Sequence, residues 1–499
     1  MNSSLPLRIE LAGFNVDRET LRGLEIAAYE GGEAPPREAI TPETLSAAYA
    51  RISRNPSDIR EIRAEARVEV EKARRSNENI VFGLGHSSVA EHAVFNMDVT
   101  GISRLAVEAI ERHRLTSFTE KSQRYIKLDG DAVIAPEIHQ AGLAAELDEL
   151  IREQNKTYWL IEAALYQLYL PRFQADGEGR PKTRARGKAA EDARYVVSLA
   201  TQAQFGMTVN ARTLETMIRD ALAYPLEEVR EAGRQLLQQV QGLAPSLVKY
   251  TDATDYEQQQ FSRCCYWPES QNAPDSGQST VRLVDYSENG ESLILASLLL
   301  HNTGCSWTEA HSRASKMPPE ERKSVYREML KPNAPWDPPP REFELAEFTF
   351  ELILSAAAFG QLKRHRMSTQ ILGPYDPSLG WTMPETVAEA NMTREFDAIL
   401  ERSAEFAWKI ATHASEGSQL AAAAPYALCN AHRRRIVFKA NARELYHVSR
   451  LREDEHAQWD IRQLAGAMVQ QAREVMPALF IMATGKHEFA ERKRTVFGK

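Results

Sequence analysis

The chain has 499 residues, 43% of them hydrophobic, which is long and apolar enough to bury two cores rather than one, so two domains are expected. Its 61 basic and 69 acidic residues leave a net charge of −8, a balance that provides no global basic field and argues against bulk nucleic-acid binding. Four cysteines (Cys264, Cys265, Cys305, Cys429) form no CxxC pair, and the adjacent two cannot close a relaxed disulfide, so a reduced, cytoplasmic setting without a metal centre is expected. No stretch approaches eighteen uncharged apolar residues and the first eleven do not read as an export signal, so no membrane partner is expected either.

In chain order, Leu7 to Leu11 alternates apolar and polar residues as a half-buried strand does. Asp58 to Ser76 is charged and amphipathic, as a helix. An apolar helical stretch, SRLAVEAIE, closes on Arg112-His113-Arg114, and Gln202 to Thr208 reads as a strand that leads into Asn210-Ala211-Arg212 at the start of another helix. Residues 267–280 are dense in Pro, Ser, Gly, Asn and Gln and read as a linker. The landmarks then recur. Val281 to Asp285 is a second opening strand, LILSAAAFGQLK is a second apolar helix closing on Arg364-His365-Arg366, and the strand Arg435 to Ala440 leads into Asn441-Ala442-Arg443. His456 to Met476 carries apolar residues at helical spacing, and Pro318 with Pro338-Pro339-Pro340 frames an insertion in the second half. A repeat of about half the chain predicts two like domains, 1–266 and 281–499, of α+β class, each a small mixed sheet packed by helices.

The segment Arg112 to Tyr125 gathers three arginines, a histidine, a carboxylate and several hydroxyls at a helix end. Guanidinium forks hold phosphates through paired hydrogen bonds, and Ser122 two residues before Arg124 suits a phosphate cradle. A solvated charge run at a helix C-terminus is the plainer reading of one such segment, and the second triplet at an equivalent place weakens it. Asn210 with Thr213 and Asn441 with Glu444 have the spacing of helix caps. The run His432 to Arg435 reads as a solvated or subunit-facing strand edge.

These motifs resemble those of the flavin-dependent thymidylate synthases. RHR followed by a spaced serine and S-x-R-Y is the family signature; Gly85 to His92 is similar to its upstream histidine segment, and Ala193-Arg194 to its phosphate-arginine region. Asn441 to His447, Leu451-Arg452 and His456 to Trp459 are similar to its C-terminal helical signature. The resemblance implies FAD as cofactor, with NADPH and 5,10-methylenetetrahydrofolate as co-substrates and dUMP as acceptor. It implies that Glu120, Ser122, Gln123, Arg124, Arg194, Gln361, Arg364 and Arg452 hold the nucleotide, and that Arg452 stabilises charge on the pyrimidine as its C5 becomes nucleophilic. Arg112, His113, Arg114, Arg364, His365, Arg366, Asn210, Arg212, Asn441, Arg443 and His447 would meet the flavin, with His86, Ser88 and Glu91 on its other side. The asparagines can act as caps, as flavin contacts, or as both.

Each half departs from the pattern. The first carries Ala109 where the family has glutamine before RHR, and Asp220-Ala221 where it has Leu-Arg. The second places Leu372, Pro374 and Asp376 at the Glu, Ser and Arg positions and Pro425 at the phosphate arginine. Family sites are shared between subunits, so these losses are complementary: the first half's loop and the second half's Gln361, Arg364 and Arg452 would complete one kind of site, and the other kind would be dead. A homodimer rebuilding a four-unit assembly is expected. Reductive methylation of dUMP is the favoured function, with methylation or hydroxymethylation of another uracil nucleotide and a noncatalytic flavin or nucleotide binder as alternatives.

Overall fold

The computed structural model describes residues 5–31, 33–123, 130–177, 179–262, 280–413 and 419–498. Most of the expected linker, 267–279, and Arg124, Cys264 and Cys265 lie outside them. The chain forms two compact units, neither of them a continuous piece of sequence. The first takes 1–156, 197–266 and 402–428; the second takes 157–196, 267–401 and 429–499.

In the first unit, β1 (Arg8–Phe14), β2 (Val94–Ser103), β3 (Thr116–Glu120) and β4 (Gln202–Asn210) form a sheet of order β1-β2-β4-β3. Every pairing is antiparallel, where a mixed sheet is expected. The alternation that marks β4 as a strand is visible in its burial: Ala203, Phe205, Met207 and Val209 face inward and the residues between them do not. Helices α1 (Arg104–Glu111), α2 (Ala211–Ala223), α3 (Glu227–Val240) and α4 (Asp255–Ser262) complete the elements that matter to the site. The stretch from Asp58 to Ser76 is two helices, Ile59–Val68 and Val70–Glu78, broken at Glu69; no glycine or proline marks that break.

The second unit repeats the plan. β5 (Thr280–Tyr286), β6 (Glu347–Ser355), β7 (Thr369–Tyr375) and β8 (Arg433–Asn441) run in the order β5-β6-β8-β7, again antiparallel throughout, with α5 (Ala356–Leu362), α6 (Ala442–Arg452) and α7 (Trp459–Val475) packed on them. Only the later part of LILSAAAFGQLK is helical. Leu352 to Ser355 finish β6, because the Ser355 hydroxyl accepts the Ala358 N–H and so starts α5 there. His432 to Arg435 is corrected as well. β8 lies between β6 and β7, His432 and Arg433 are fully buried, and Arg433 donates to the Thr382 hydroxyl at 3.0 Å and to the Trp381 carbonyl. Burial lowers the His432 imidazole to about 4 and the Arg433 guanidinium to about 10. The Arg434 guanidinium stacks 4.3 Å from the centre of the Tyr375 ring.

A buried triad recurs in both units. The Ser103 hydroxyl caps α1 and donates to Glu228 at 2.6 Å, and the same carboxylate accepts the Tyr426 hydroxyl. Ser355 does the same for α5 with Asp460, which accepts Ser355 at 2.6 Å and the Tyr195 hydroxyl at 3.1 Å. In each case the tyrosine comes from the opposite half of the sequence, which ties the exchanged segments into their units. One outer strand of each sheet, β1 and β5, is closed by glutamines. Gln235 and Gln239 accept the Ile9 and Leu11 N–H groups, and Gln471 accepts that of Leu283, satisfying edge donors that would otherwise invite another strand.

Candidate functional site

Strand register confirms the equivalence of the two halves around the triplets. Glu120 pairs with Phe205, five residues before Asn210, and Leu372 pairs with Ile436, five before Asn441. Asn210 and Asn441 both cap, each accepting the N–H three residues on at 2.9 Å. Beyond that frame the two triplets sit in opposite environments.

In the second unit, Gln361 is on α5, Arg364, His365 and Arg366 form the turn after it, and α6 presents Glu444, His447 and Arg452 to that turn. Arg452 donates from Nε to His365 Nε2 at 3.0 Å and from a terminal nitrogen to Gln361 Oε1 at 3.4 Å. A guanidinium only donates, so the nitrogen it meets carries a lone pair and the amide atom it meets is oxygen. Two consequences follow. His365 must hold its proton on Nδ1, which lies 3.1 Å from a Glu444 carboxylate oxygen. Gln361 Nε2 is buried and has no hydrogen-bond partner among the described residues, which is the kind of orphan that a bound ligand satisfies.

The His365 imidazole is almost fully enclosed. Burial lowers its pKa, the Glu444 hydrogen bond works against that, and Arg452 reinforces it. The His365–Glu444 contact is therefore a hydrogen bond from a neutral ring rather than an ion pair. His447, whose pKa burial also lowers, stands edge-on to His365 with ring centres 5.4 Å apart. Although His365, Glu444 and His447 offer ligand atoms within 4.8 Å of one another, Arg452 occupies the His365 lone pair, so the cluster is not assigned to a metal. Arg443 donates to the Pro339 carbonyl at 2.8 Å and pairs with Glu344, and Arg450 donates to the Trp336 carbonyl. A cleft beside them is lined by Pro338, Pro339, Arg443, His447, Arg450 and Phe489.

In the first unit Asp220 takes two members of the triplet, pairing with Arg112 and lying 3.3 Å from His113 Nε2. Burial raises the Asp220 carboxyl, but hydrogen bonding from His113 and the charge of Arg112 outweigh it and leave the pKa below its ordinary value. Phe261 of α4 lies 4.7 Å from the Arg112 guanidinium, and Glu257 anchors the same helix to Arg219 at 2.5 Å. Arg212 is paired with Glu91 at 2.6 Å, Glu120 with Arg104 at 2.9 Å, and Arg114 follows His113 on the turn. Ser122 is half-buried, Gln123 is buried, and His86 and Ser88 are exposed around a short 3-10 turn, Ser87–His92.

The structure thus joins Gln361, His365, His447 and Arg452 in one cluster, sets Arg112 and Arg212 in ion pairs with Asp220 and Glu91, and brings His113 beside Asp220. Arg194, from the first half of the sequence, belongs to the compact unit that contains Arg452, and Pro425 at the corresponding position belongs to the other. Glu444 was legible only as a cap partner. Its distance of eight residues from Arg452 places both on one helix face, and that is the signal that identifies it.

Comparison with known proteins follows the same division. The family model described as "Thymidylate synthase complementing protein" matches residues 38–246 and again 282–478. A flavin-dependent thymidylate synthase of Clostridium tetani is 32% identical over 213 residues, 42% of this chain and 82% of that protein. A UPF0159 protein of Thermoplasma acidophilum is 26% identical over 437 residues, 79% of this chain and 85% of that one, and so spans both halves. Among solved structures, a UMP/dUMP methylase from Streptomyces cacaoi bound with 5-Br dUMP aligns to 42% of this chain and 96% of its own, with a TM-score of 0.33 and 17% identity; a likeness at that level decides nothing about substrate.

Proposed function

The chain belongs to the family of thymidylate synthase complementing proteins, and on that premise we propose that it is a flavin-dependent methyltransferase that converts dUMP to dTMP. FAD, reduced by NADPH, supplies the electrons, and 5,10-methylenetetrahydrofolate supplies the carbon. The observation that carries this reading is the Gln361–His365–Arg452 cluster, an oriented guanidinium beside a buried amide nitrogen with no partner among the described residues.

The second unit's residues fit the cofactor. Arg364 and Arg366 bring cationic donors to one turn, and Arg443 and His447 bring further donors on α6, a set suited to a planar, acceptor-rich, anionic group. The first unit fits it less well: Asp220 pairs with Arg112 and Phe261 lies over that guanidinium, and Ala109 and Ala221 stand where the second unit has Gln361 and Arg452; the Arg212–Glu91 and Arg443–Glu344 pairs are common to both. In the second unit Arg452 acts on the substrate by stabilising negative charge that grows on the pyrimidine as C5 attacks, an interaction stronger in the transition state than on binding. Gln361 and Arg364 orient the base, and Glu120, Ser122, Gln123, Arg124 and Arg194 hold the sugar and phosphate. The nucleotide therefore requires residues from both halves of the sequence, brought together in a homodimer.

The test is incubation of purified protein with FAD, NADPH, methylenetetrahydrofolate and either dUMP or UMP. Formation of dTMP supports the reading. Product from UMP alone would move the substrate assignment, and no product from either would leave a binder.

A further inference from the structure

Arg452 needs an acceptor at His365 Nε2, and a free imidazole offers one in only one of its two neutral tautomers. The wrong tautomer sets an N–H against the guanidinium N–H and expels it. Glu444 resolves this choice geometrically. Its carboxylate lies 3.1 Å from His365 Nδ1, accepts a proton there, and leaves the lone pair on Nε2, where Arg452 Nε donates at 3.0 Å. All three side chains are largely withdrawn from solvent, so water does not substitute for the carboxylate.

The first unit supplies an internal control. At the position of Glu444 it has Thr213, and at that of Arg452 it has Ala221, each at the same distance from its capping asparagine. There the His113 Nδ1 turns to the Ile110 carbonyl at 2.9 Å instead. The carboxylate at the Glu444 position and the arginine at the Arg452 position are thus both absent from the first half, where Asp220 lies beside the His113 Nε2 instead.

We propose that Glu444 is a positioning residue that fixes the His365 tautomer and through it holds Arg452 in its working orientation. This rests on the assignment of Arg452 given above. Protonating His365 removes the acceptor and sets two cations against each other, so the device also makes turnover fall at acid pH. The charged and titratable groups that bear on the ring are Glu444, His447 and Arg452 from α6, with Arg364 and Arg366 on its own turn.

The experiment compares wild type, Glu444→Gln and Glu444→Ala as full-length, FAD-loaded protein, reading kcat and KM for dUMP across pH, and separately the histidine tautomer by 15N NMR, with His365→Gln used to assign its signal. Glu444→Ala should lower kcat about 10- to 100-fold with little change in KM, the scale seen when an orienting partner is lost. Glu444→Gln, whose amide oxygen still accepts from Nδ1, should stay within about threefold near neutral pH. Its acid limb should move to lower pH, because the carboxylate that favoured the imidazolium is gone; a merely structural role would leave that limb in place. Equal kcat in Glu444→Ala and wild type, or a Glu444→Gln enzyme as slow as Glu444→Ala, would overturn the proposal. In the spectra, wild type and Glu444→Gln should carry the proton on Nδ1 and Glu444→Ala should not; Nε2 protonation in wild type would overturn it as well. An inactive wild type showing the expected tautomer change would sink the functional reading and leave the Glu444–His365 device standing.

Discussion

Asp220 and Leu451 occupy the same position in the two halves, and that single difference changes what the Arg-His-Arg turn can do. A carboxylate there pairs with Arg112 and lies beside His113, whereas leucine leaves the turn to be organised by Arg452. Because the folded Asp220 carboxyl has a lowered pKa, it adds stability that is present above the ordinary carboxylate value of about 3.9 and is lost as pH falls through its depressed value. Asp220→Asn should remove that part of the acid dependence and cost on the order of 1 kcal/mol at neutral pH, a modest figure because the pair is partly exposed. Urea titrations from pH 2.5 to 7 measure it, and an unchanged acid slope would contradict the assignment. The sequence displays Asp220 as a departure from pattern, but not as a clamp, since the partners it captures lie 107 and 108 residues away in sequence, as the numbering shows. Arg433 was hidden for a related reason. Three consecutive arginines read as solvated, and only the placement of β8 inside the sheet, with carbonyls of the 379–382 segment to receive the guanidinium, makes burial tolerable.

At the level of elements, periodicity and caps carried the reading well. The strands β1, β4, β5 and β8 and the helix α7 follow from alternation and helical spacing, and both Asn-Ala-Arg motifs start helices as their capping geometry predicts. Asn210→Ala should cost about 1 kcal/mol of stability without loss of bound flavin, since its unit's cations are internally paired; thermal denaturation and the flavin absorbance of the same sample check both halves of that statement. Asp376 gives a complementary case. It stands where the family has an arginine, yet it is buried and accepts the Ser378 N–H and hydroxyl at 2.9 and 2.6 Å. Asp376→Ala should therefore weaken the fold by about 1 kcal/mol and leave dUMP affinity unchanged, whereas Arg124→Ala should weaken dUMP binding by about one to two powers of ten, the worth of a charge-assisted contact. Calorimetric titration with dUMP distinguishes them. Equal losses of affinity would contradict the division of roles. The edge-closing glutamines and the Ser–carboxylate–Tyr triads were not legible, because each depends on residues from distant segments meeting in space.

At the level of the whole molecule, the sequence shows a duplication but not the exchange of segments that accompanies it. Residues 157–196 and 402–428 each join the unit opposite to their own half, and no local pattern reports such a crossing. The exchange places Arg194 in the unit that keeps Arg452, and Pro425 in the unit that carries Ala221 at the corresponding position. One FAD per chain is the expected stoichiometry; two, from flavin absorbance against protein concentration, would contradict the quenching of the first unit. The proposed service of Arg452 to the transition state is read out by the steady-state formation of dTMP from dUMP by wild type, Arg452→Lys and Arg450→Lys. Lysine keeps the charge and loses the planar fork that meets His365 and Gln361 together. Arg452→Lys should have a kcat lower by about two to three powers of ten with dUMP affinity nearly retained, and Arg450→Lys near-normal turnover; equal turnover in all three would remove Arg452 from the chemistry.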